Sequence, residues 1–232
     1  DIIVAGEGTV DKYMGDCVMA FWNAPLDNPE HARDSCLTAL KIVSAMAPLN
    51  ERLKKDAKAE GRPYFRLKVG LGLNSGEVVV GNMGSAQRMN YSVLGDTVNT
   101  ASRLEAQSKT YGVDIVIGPN TQARVEDLAT IELDLIRVKG KTEVLKIYAL
   151  IGDDAFAVGR RFLAVKESHG LMLQAYRNMD WAKARDLINA TRRLGARFDL
   201  DALYDLYESR INAFRADPPA ADWDGVFNAA SK

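Results

Sequence analysis

Tyr91-Ser92-Val93-Leu94-Gly95-Asp96-Thr97-Val98-Asn99-Thr100-Ala101-Ser102-Arg103-Leu104-Glu105 changes its period halfway along. Met89 to Val93 reads as an extended stretch, and Asp96 opens a helix to about Tyr111, with Asp96 as its cap. Asn99 and Arg103, four positions apart, share one face of that helix. Val98, Ala101 and Leu104 form the side expected to pack. An amide beside a guanidinium suits a phosphorylated ligand, because the guanidinium offers planar, bidentate donors to phosphate oxygens. The same spacing also reads as an amphipathic helix with a polar face.

Upstream, Val10–Tyr13 and Cys17–Trp22 read as two strands around the turn Met14-Gly15-Asp16. Alternation puts Asp11 and Tyr13 on one face and Lys12 and Met14 on the other. A carboxylate at the tip of such a hairpin is placed to hold a divalent ion, since Mg²⁺ takes one or two carboxylates together with substrate phosphates. A plain Gly-Asp turn with a solvated lysine fits the pattern too. Asn28-Pro29 reads as the cap and first turn of a helix whose apolar side is Ala32, Cys36, Ala39, Leu40, Val43 and Met46, with Pro48 kinking or ending it. Arg66–Leu73 is expected as a strand, Asn74-Ser75-Gly76 as a turn and Glu77–Gly81 as its return. Gly81-Asn82-Met83-Gly84-Ser85 reads as a loop, or as a cradle for an anion that opens no helix.

Downstream, Val113–Ile117 is a short buried strand and Pro119 starts a short helix. Thr130–Val138 and Glu143–Leu150 are strands around Lys139-Gly140-Lys141, a polar turn or a phosphate contact. Strands interleaved with long helices make the first part an α/β or α+β sheet domain. From about Asp153 the strands stop. Three helical patterns follow to residue 216, Asp217-Pro218-Pro219 is a firm stop, and the tail Asp222–Phe227 is apolar enough to dock back.

The composition narrows the classes of function. Thirty Lys and Arg against 31 Asp and Glu leave a net charge of -1, without the basic excess of a nucleic-acid binder. With 47% apolar and 26% charged residues the chain is expected to fold rather than stay disordered. No apolar run approaches the ~20 residues of a membrane span. Cys17, Cys36, His31 and His169 show neither disulfide nor metal-ligand spacing, and read as packing or surface residues of a cytoplasmic chain.

Taken together, four stretches resemble the catalytic domain of class III nucleotide cyclases, in that family's order. Gly8-Thr9-Val10-Asp11-Lys12-Tyr13-Met14-Gly15-Asp16-Cys17-Val18-Met19-Ala20-Phe21-Trp22 is similar to the segment that carries the second metal aspartate. Leu71-Gly72-Leu73-Asn74-Ser75-Gly76 looks like the central hairpin, Tyr91 to Glu105 like the most recognisable stretch, and Val138-Lys139-Gly140-Lys141 like the late hairpin. The resemblance implies a ferredoxin-like α+β cyclase sheet with flanking helices over residues 1–152. An all-helical appendage follows over residues 153–232, with a tetratricopeptide-like helix pair and the helical extension of cyclases that carry a CHASE-type sensor.

The resemblance also implies a reaction and a site. The ribose 3′ hydroxyl of ATP attacks the α-phosphorus and pyrophosphate leaves, with two divalent cations (Mg²⁺ or Mn²⁺), at sites shared across a homodimer. Asp16 is then a metal ligand, Lys12 the purine-reading lysine and Ser92 its partner at the base. Lys139 contacts the terminal phosphates, while Asn99 and Arg103 come from the other subunit to act on the ribose and the reacting phosphate. Adenine offers an acceptor at N1 and a donor at N6. A lysine suits the first and a hydroxyl the second. Guanylate cyclases of the family usually have Glu at the position of Lys12, so the expected product is cyclic AMP. The family's first metal aspartate, in an upstream Phe-x-Asp-Ile-like segment, has no counterpart here. The chain also starts at Asp1 rather than Met. The expectation is therefore a fragment that is inactive alone, from a parent anchored in the plasma membrane with this region on its cytoplasmic face. The competing expectations are a catalytically silent regulatory or dimerisation module and a guanylate cyclase, which Lys12 opposes.

Overall fold

The computed structural model describes residues 1–85, 87–137, 143–220 and 222–228. In chain order the elements begin with α1 (Ile2–Ala5), β1 (Thr9–Met14), β2 (Cys17–Phe21), α2 (His31–Ala59), β3 (Leu71–Leu73), β4 (Val79–Ser85) and β5 (Arg88–Leu94). They continue with α3 (Asp96–Tyr111), β6 (Ile115–Ile117), α4 (Pro119–Gln122), β7 (Ala129–Arg137) and β8 (Val144–Gly152). The C-terminal part holds α5 (Asp154–Ala157), α6 (Arg160–Arg177), α7 (Trp181–Gly195), α8 (Asp201–Ala216) and β9 (Phe227–Asn228). The architecture is a mixed α/β sheet with flanking helices and a helical C-terminal end.

The central sheet runs β3-β6-β8-β7-β9, and two separate two-stranded ribbons, β1-β2 and β4-β5, stand outside it. Alternation along β6 decides its two faces. Ile115 and Ile117 join Cys36, Ala39 and Leu150 under α2, while Val116 points to the other core with Leu104, Ile131 and Ile147. That second core also takes in Phe162, Val165, Leu173, Ile188, Tyr207 and Ile211, so α6, α7 and α8 pack on the same sheet face as α3.

Several polar groups inside this layer are paired. Tyr111 donates to Asp134 Oδ2 at 2.7 Å, and Arg210 Nη1 meets the same oxygen at 2.6 Å. Tyr207 donates to the Leu133 carbonyl at 2.5 Å, and a ring nitrogen of His169 lies 2.7 Å from the Glu132 carbonyl. The tail docks as expected: β9 pairs in parallel with β7, and the Phe227 ring lies 3.5 Å from the Arg210 guanidinium.

Several local expectations are corrected. Pro48 stays inside a continuous α2. Asn28 does not cap α2 from the capping position, which is Glu30. Its Oδ1 instead accepts from Glu30 N and its Nδ2 donates to Asp34. Only Leu71–Leu73 of the expected strand Arg66–Leu73 is strand, because Asn50 of α2 takes the hydrogen bonds of Leu67 (N at 2.8 Å, O at 2.9 Å). The 71–81 segment does not close as a hairpin either: β3 pairs with β6, and β4 with β5. The turn is tied to the start of α3 instead, through Asn74 to Thr97 O at 3.2 Å and Thr97 to Glu77 O at 3.1 Å. Gly81–Ser85 is strand rather than loop.

Candidate active site

The ribbon β1-β2 turns over Gly15-Asp16, with Met14 paired to Cys17. Gly15 has φ 64°, a conformation that suits glycine in a two-residue turn, and Asp16 stands exposed at the tip. One turn of chain earlier, β1 bulges. Val10 pairs with Ala20 and Lys12 with Met19, which leaves Asp11 without a cross-strand partner. A bulge re-aims side chains, and here it brings Asp11 and Lys12 to the same neighbour. The strict alternation expected for this strand, with Asp11 and Lys12 on opposite faces, is thereby overturned.

That neighbour is Ser92, on β5 opposite Gly81 and buried. Ser92 Oγ donates to Asp11 Oδ2 at 2.8 Å and accepts from Lys12 Nζ at 3.2 Å. Lys12 Nζ also lies 3.4 Å from Asp11 Oδ1, and Val93 N donates weakly to Asp11 Oδ2 at 3.4 Å. The Asp11 side chain has 0% exposure while that of Lys12 has 44%. The Phe21 and Tyr91 rings, 6.0 Å apart, hold the two ribbons against each other at this point. Lys12 and Ser92 are thus brought together as expected. Asp11 was missed by the sequence reading; its signal was a carboxylate directly before a lysine in an apolar strand.

Helix α3 begins after Gly95, whose φ of 156° favours glycine and which takes the capping position expected of Asp96. Asp96 is the first helical residue, where a negative charge suits the helix dipole. The buried stripe is Thr100, Leu104, Ser108 and Tyr111; of the expected Val98-Ala101-Leu104 side, Leu104 is buried and Val98 and Ala101 are half-buried. Gly72 explains the docking: a Cβ there would lie 2.2 Å from Ala101 O and from Glu105 N. Glycine lets the backbone of β3 lie directly against α3. Asn99 is exposed beside this stripe, and Arg103 is half-buried, its Nη1 without a hydrogen-bond partner among the described residues.

Within the chain, among the described residues, no hydrogen bond or ion pair joins Asn99 or Arg103 to Lys12, Asp16 or Ser92. Lys139 lies outside the described residues. No described group of three His, Cys, Asp or Glu side chains is arranged to hold a metal. Asp16 offers one exposed carboxylate, and Asp11 is committed to Ser92 and Lys12. A site for one ion shared with a ligand's phosphates fits Asp16, but a two-ion site is not completed by the described residues. A cavity of about 200 Å³ lies at the start of α3, lined by Asn74, Ser75, Asp96, Thr97, Asn120 and Glu143, and contains none of the expected site residues. No described helix is long and apolar enough to cross a membrane.

Residues 9–152 match the family described as the adenylate and guanylate cyclase catalytic domain, and the chain belongs to that family. Among relatives, it is 34% identical over 153 residues to adenylate cyclase 1 of Rhizobium meliloti, covering 66% of this chain and 22% of that protein. It is 35% identical over 146 residues to an adenylate cyclase of Anabaena cylindrica, covering 61% of this chain and 28% of that protein. The chain therefore spans under a third of the length of these relatives. Among solved structures, the adenylyl cyclase CyaB from P. aeruginosa is similar with a TM-score of 0.54 and 31% identity, over 66% of this chain and 76% of that one.

Proposed function

We propose that this chain is the catalytic region of an adenylate cyclase, which converts ATP to 3′,5′-cyclic AMP and pyrophosphate in intracellular signalling. The observation that carries the reading is the Lys12–Ser92 pair. An ammonium has three donors. Those of Lys12 face Ser92 Oγ, Asp11 Oδ1 and the open side of the ribbon. A donor and an acceptor side by side match the N1 acceptor and N6 donor of adenine. Guanine presents the opposite pattern, a donor at N1 and an acceptor at O6.

The chemistry assigned to the site is intramolecular. The 3′ oxygen forms a bond to the α-phosphorus as the bond to pyrophosphate breaks, and the hydroxyl proton is lost. Arg103 is assigned to neutralise charge building on the α-phosphoryl oxygens. Asn99, one turn away, orients the ribose, and Lys139 is assigned to the terminal phosphates. A divalent cation held by Asp16 would neutralise charge on the phosphates. We assign Asn99 and Arg103 to the site of a second protomer. Tyr13, Met14, Val18, Val79, Met89 and Leu94, all exposed on the two ribbons, support such a homodimer. A cytoplasmic location follows from the substrate, and any membrane anchor belongs to sequence other than the helices described.

The lone carboxylate of Asp16 favours a second reading, a cyclase-like module that binds nucleotide and turns it over poorly. The test is product formation from ATP and GTP with Mn²⁺, on this chain and on the chain joined to the sequence its gene places upstream. Cyclic AMP from the longer form, in excess over cyclic GMP and lost in Arg103→Ala, supports the enzyme. No product from folded, dimeric protein transfers the assignment to the silent module.

A further inference from the structure

We infer that Asp11 is a positioning residue that sets base specificity, by fixing the Ser92 hydroxyl as a hydrogen-bond acceptor. The inference rests on the proposed adenine site. A serine hydroxyl has one proton and two lone pairs, and when free it rotates to suit either a donor or an acceptor. Here the proton is committed: Ser92 Oγ donates to Asp11 Oδ2 at 2.8 Å. One lone pair is committed as well, to Lys12 Nζ at 3.2 Å. A single lone pair remains, and it can only accept.

The carboxylate is suited to this task. An ionised carboxylate only accepts hydrogen bonds, and the Lys12 ammonium lies 3.4 Å from Asp11 Oδ1. Its side chain has 0% exposure, so water does not compete for the Ser92 proton. Its place depends on the bulge in β1, since regular alternation would send Asp11 and Lys12 to opposite faces. Oδ1 has no hydrogen bond among the described residues and is met by the Lys12 ammonium at 3.4 Å. A buried carboxylate with unused capacity is costly unless something else is gained, and the gain assigned here is discrimination. Ser92 by itself would tolerate the guanine O6 by turning its proton outward. Ser92 under Asp11 presents a lone pair to that oxygen and a partner to the adenine N6 amino group.

The test reads binding, so that it does not depend on turnover. A fluorescent ribose-labelled ATP is bound to the full chain with Mn²⁺ and displaced by ATP, by GTP and by purine riboside triphosphate, which differs from ATP only in lacking the 6-amino group. Wild type is expected to favour ATP over purine riboside triphosphate by about tenfold, the value of one well-placed hydrogen bond. Asp11→Asn can donate to Ser92 and release its proton, so this preference should shrink to within about twofold, with the gap between ATP and GTP narrowing in step. In a Ser92→Ala background Asp11→Asn should cause no further change.

An unchanged ATP preference in a folded Asp11→Asn protein overturns the inference, as does an equal loss in the Ser92→Ala background. Wild type alone gives a second reading. The triphosphate of 6-methoxypurine riboside keeps the N1 lone pair but puts an acceptor oxygen at position 6. It should bind more weakly than purine riboside triphosphate, and equal or tighter binding overturns the inference without any variant. Wild type that fails to favour ATP over GTP would instead overturn the adenine site itself.

Discussion

Lys12 Nζ lies 3.2 Å from Ser92 Oγ, across 80 residues of sequence. The contact joins two ribbons that share no strand pairing, β1-β2 and β4-β5. Three local features create it: the bulge at Asp11, the pairing of Ser92 with Gly81, and the packing of Phe21 on Tyr91. The proposed base-reading pair is therefore a property of how two ribbons meet, and α3, which carries Asn99 and Arg103, begins four residues beyond Ser92.

Arg103→Ala should leave the fold intact and remove the chemistry. The side chain makes no hydrogen bond or ion pair among the described residues whose loss would destabilise the chain. In a catalytically competent form, the rate of cyclic AMP formation should fall by about 100-fold or more, the range for removing one preorganised donor to developing charge. ATP affinity should change much less. Equal losses in affinity and rate would make Arg103 a ground-state binding residue.

Gly72→Ala should be costly although it adds one methyl group. That methyl would meet Ala101 O and Glu105 N at 2.2 Å, and backbone cannot swing away as a side-chain tip does. Overpacking of this kind typically costs about 1–3 kcal/mol. A lower melting temperature is expected in thermal unfolding, with nucleotide binding weakened because α3 is pushed off β3. Gly15→Ala, at φ 64° with open space around it, should act through backbone strain alone and cost less.

His169 makes the C-terminal layer acid-sensitive. It is 1% exposed between Glu132 and Tyr204, and burial pushes its pKa down to about 4. The unfolded chain binds this proton near pH 6.5 and the folded chain only near 4, so stability falls as pH drops through that window. Between pH 7 and pH 5 the loss should be about 2 kcal/mol. Urea unfolding at the two pH values measures it. His169→Gln should lose stability at pH 7 but show a flatter pH dependence; an unchanged slope would remove His169 as the cause.

Arg210 ties the helical layer to the sheet. Its guanidinium meets Asp134 at 2.6 Å, and both side chains are at least nine-tenths buried. Arg210→Ala leaves a buried carboxylate with Tyr111 as its remaining side-chain partner, and breaking such a pair costs about 3–5 kcal/mol. Asp134→Asn with Arg210→Met should recover much of that loss. Failure to recover would point to the packing of Arg210 on Tyr111, Tyr207 and Phe227 as the larger contribution.

What was legible in the sequence is local. The hairpin at Gly15-Asp16, the helix after Gly95, the short strand before Pro119 and the three terminal helices all follow from turn residues and apolar spacing. Lys12 and Ser92 were legible as a pair only through resemblance, since no local pattern links residues 80 apart. Asp11 was not legible because a bulge breaks the alternation on which a face assignment depends. The 71–81 segment misled for a related reason: Asn74-Ser75-Gly76 has the composition of a hairpin turn, but Thr97 and Asn74 tie it to α3. The expected side of α3 holds at Leu104, which is buried, while Ala101 meets β3 through its backbone because Gly72 has no side chain.

Lys12 and Ser92 are assigned to read adenine. Calorimetric titration of the folded chain with ATP and with GTP, in Mn²⁺, tests that assignment most directly. ATP should bind more tightly than GTP by about tenfold or more, and the preference should disappear in Lys12→Ala. Equal affinity for the two nucleotides, or tighter binding of GTP, would contradict it.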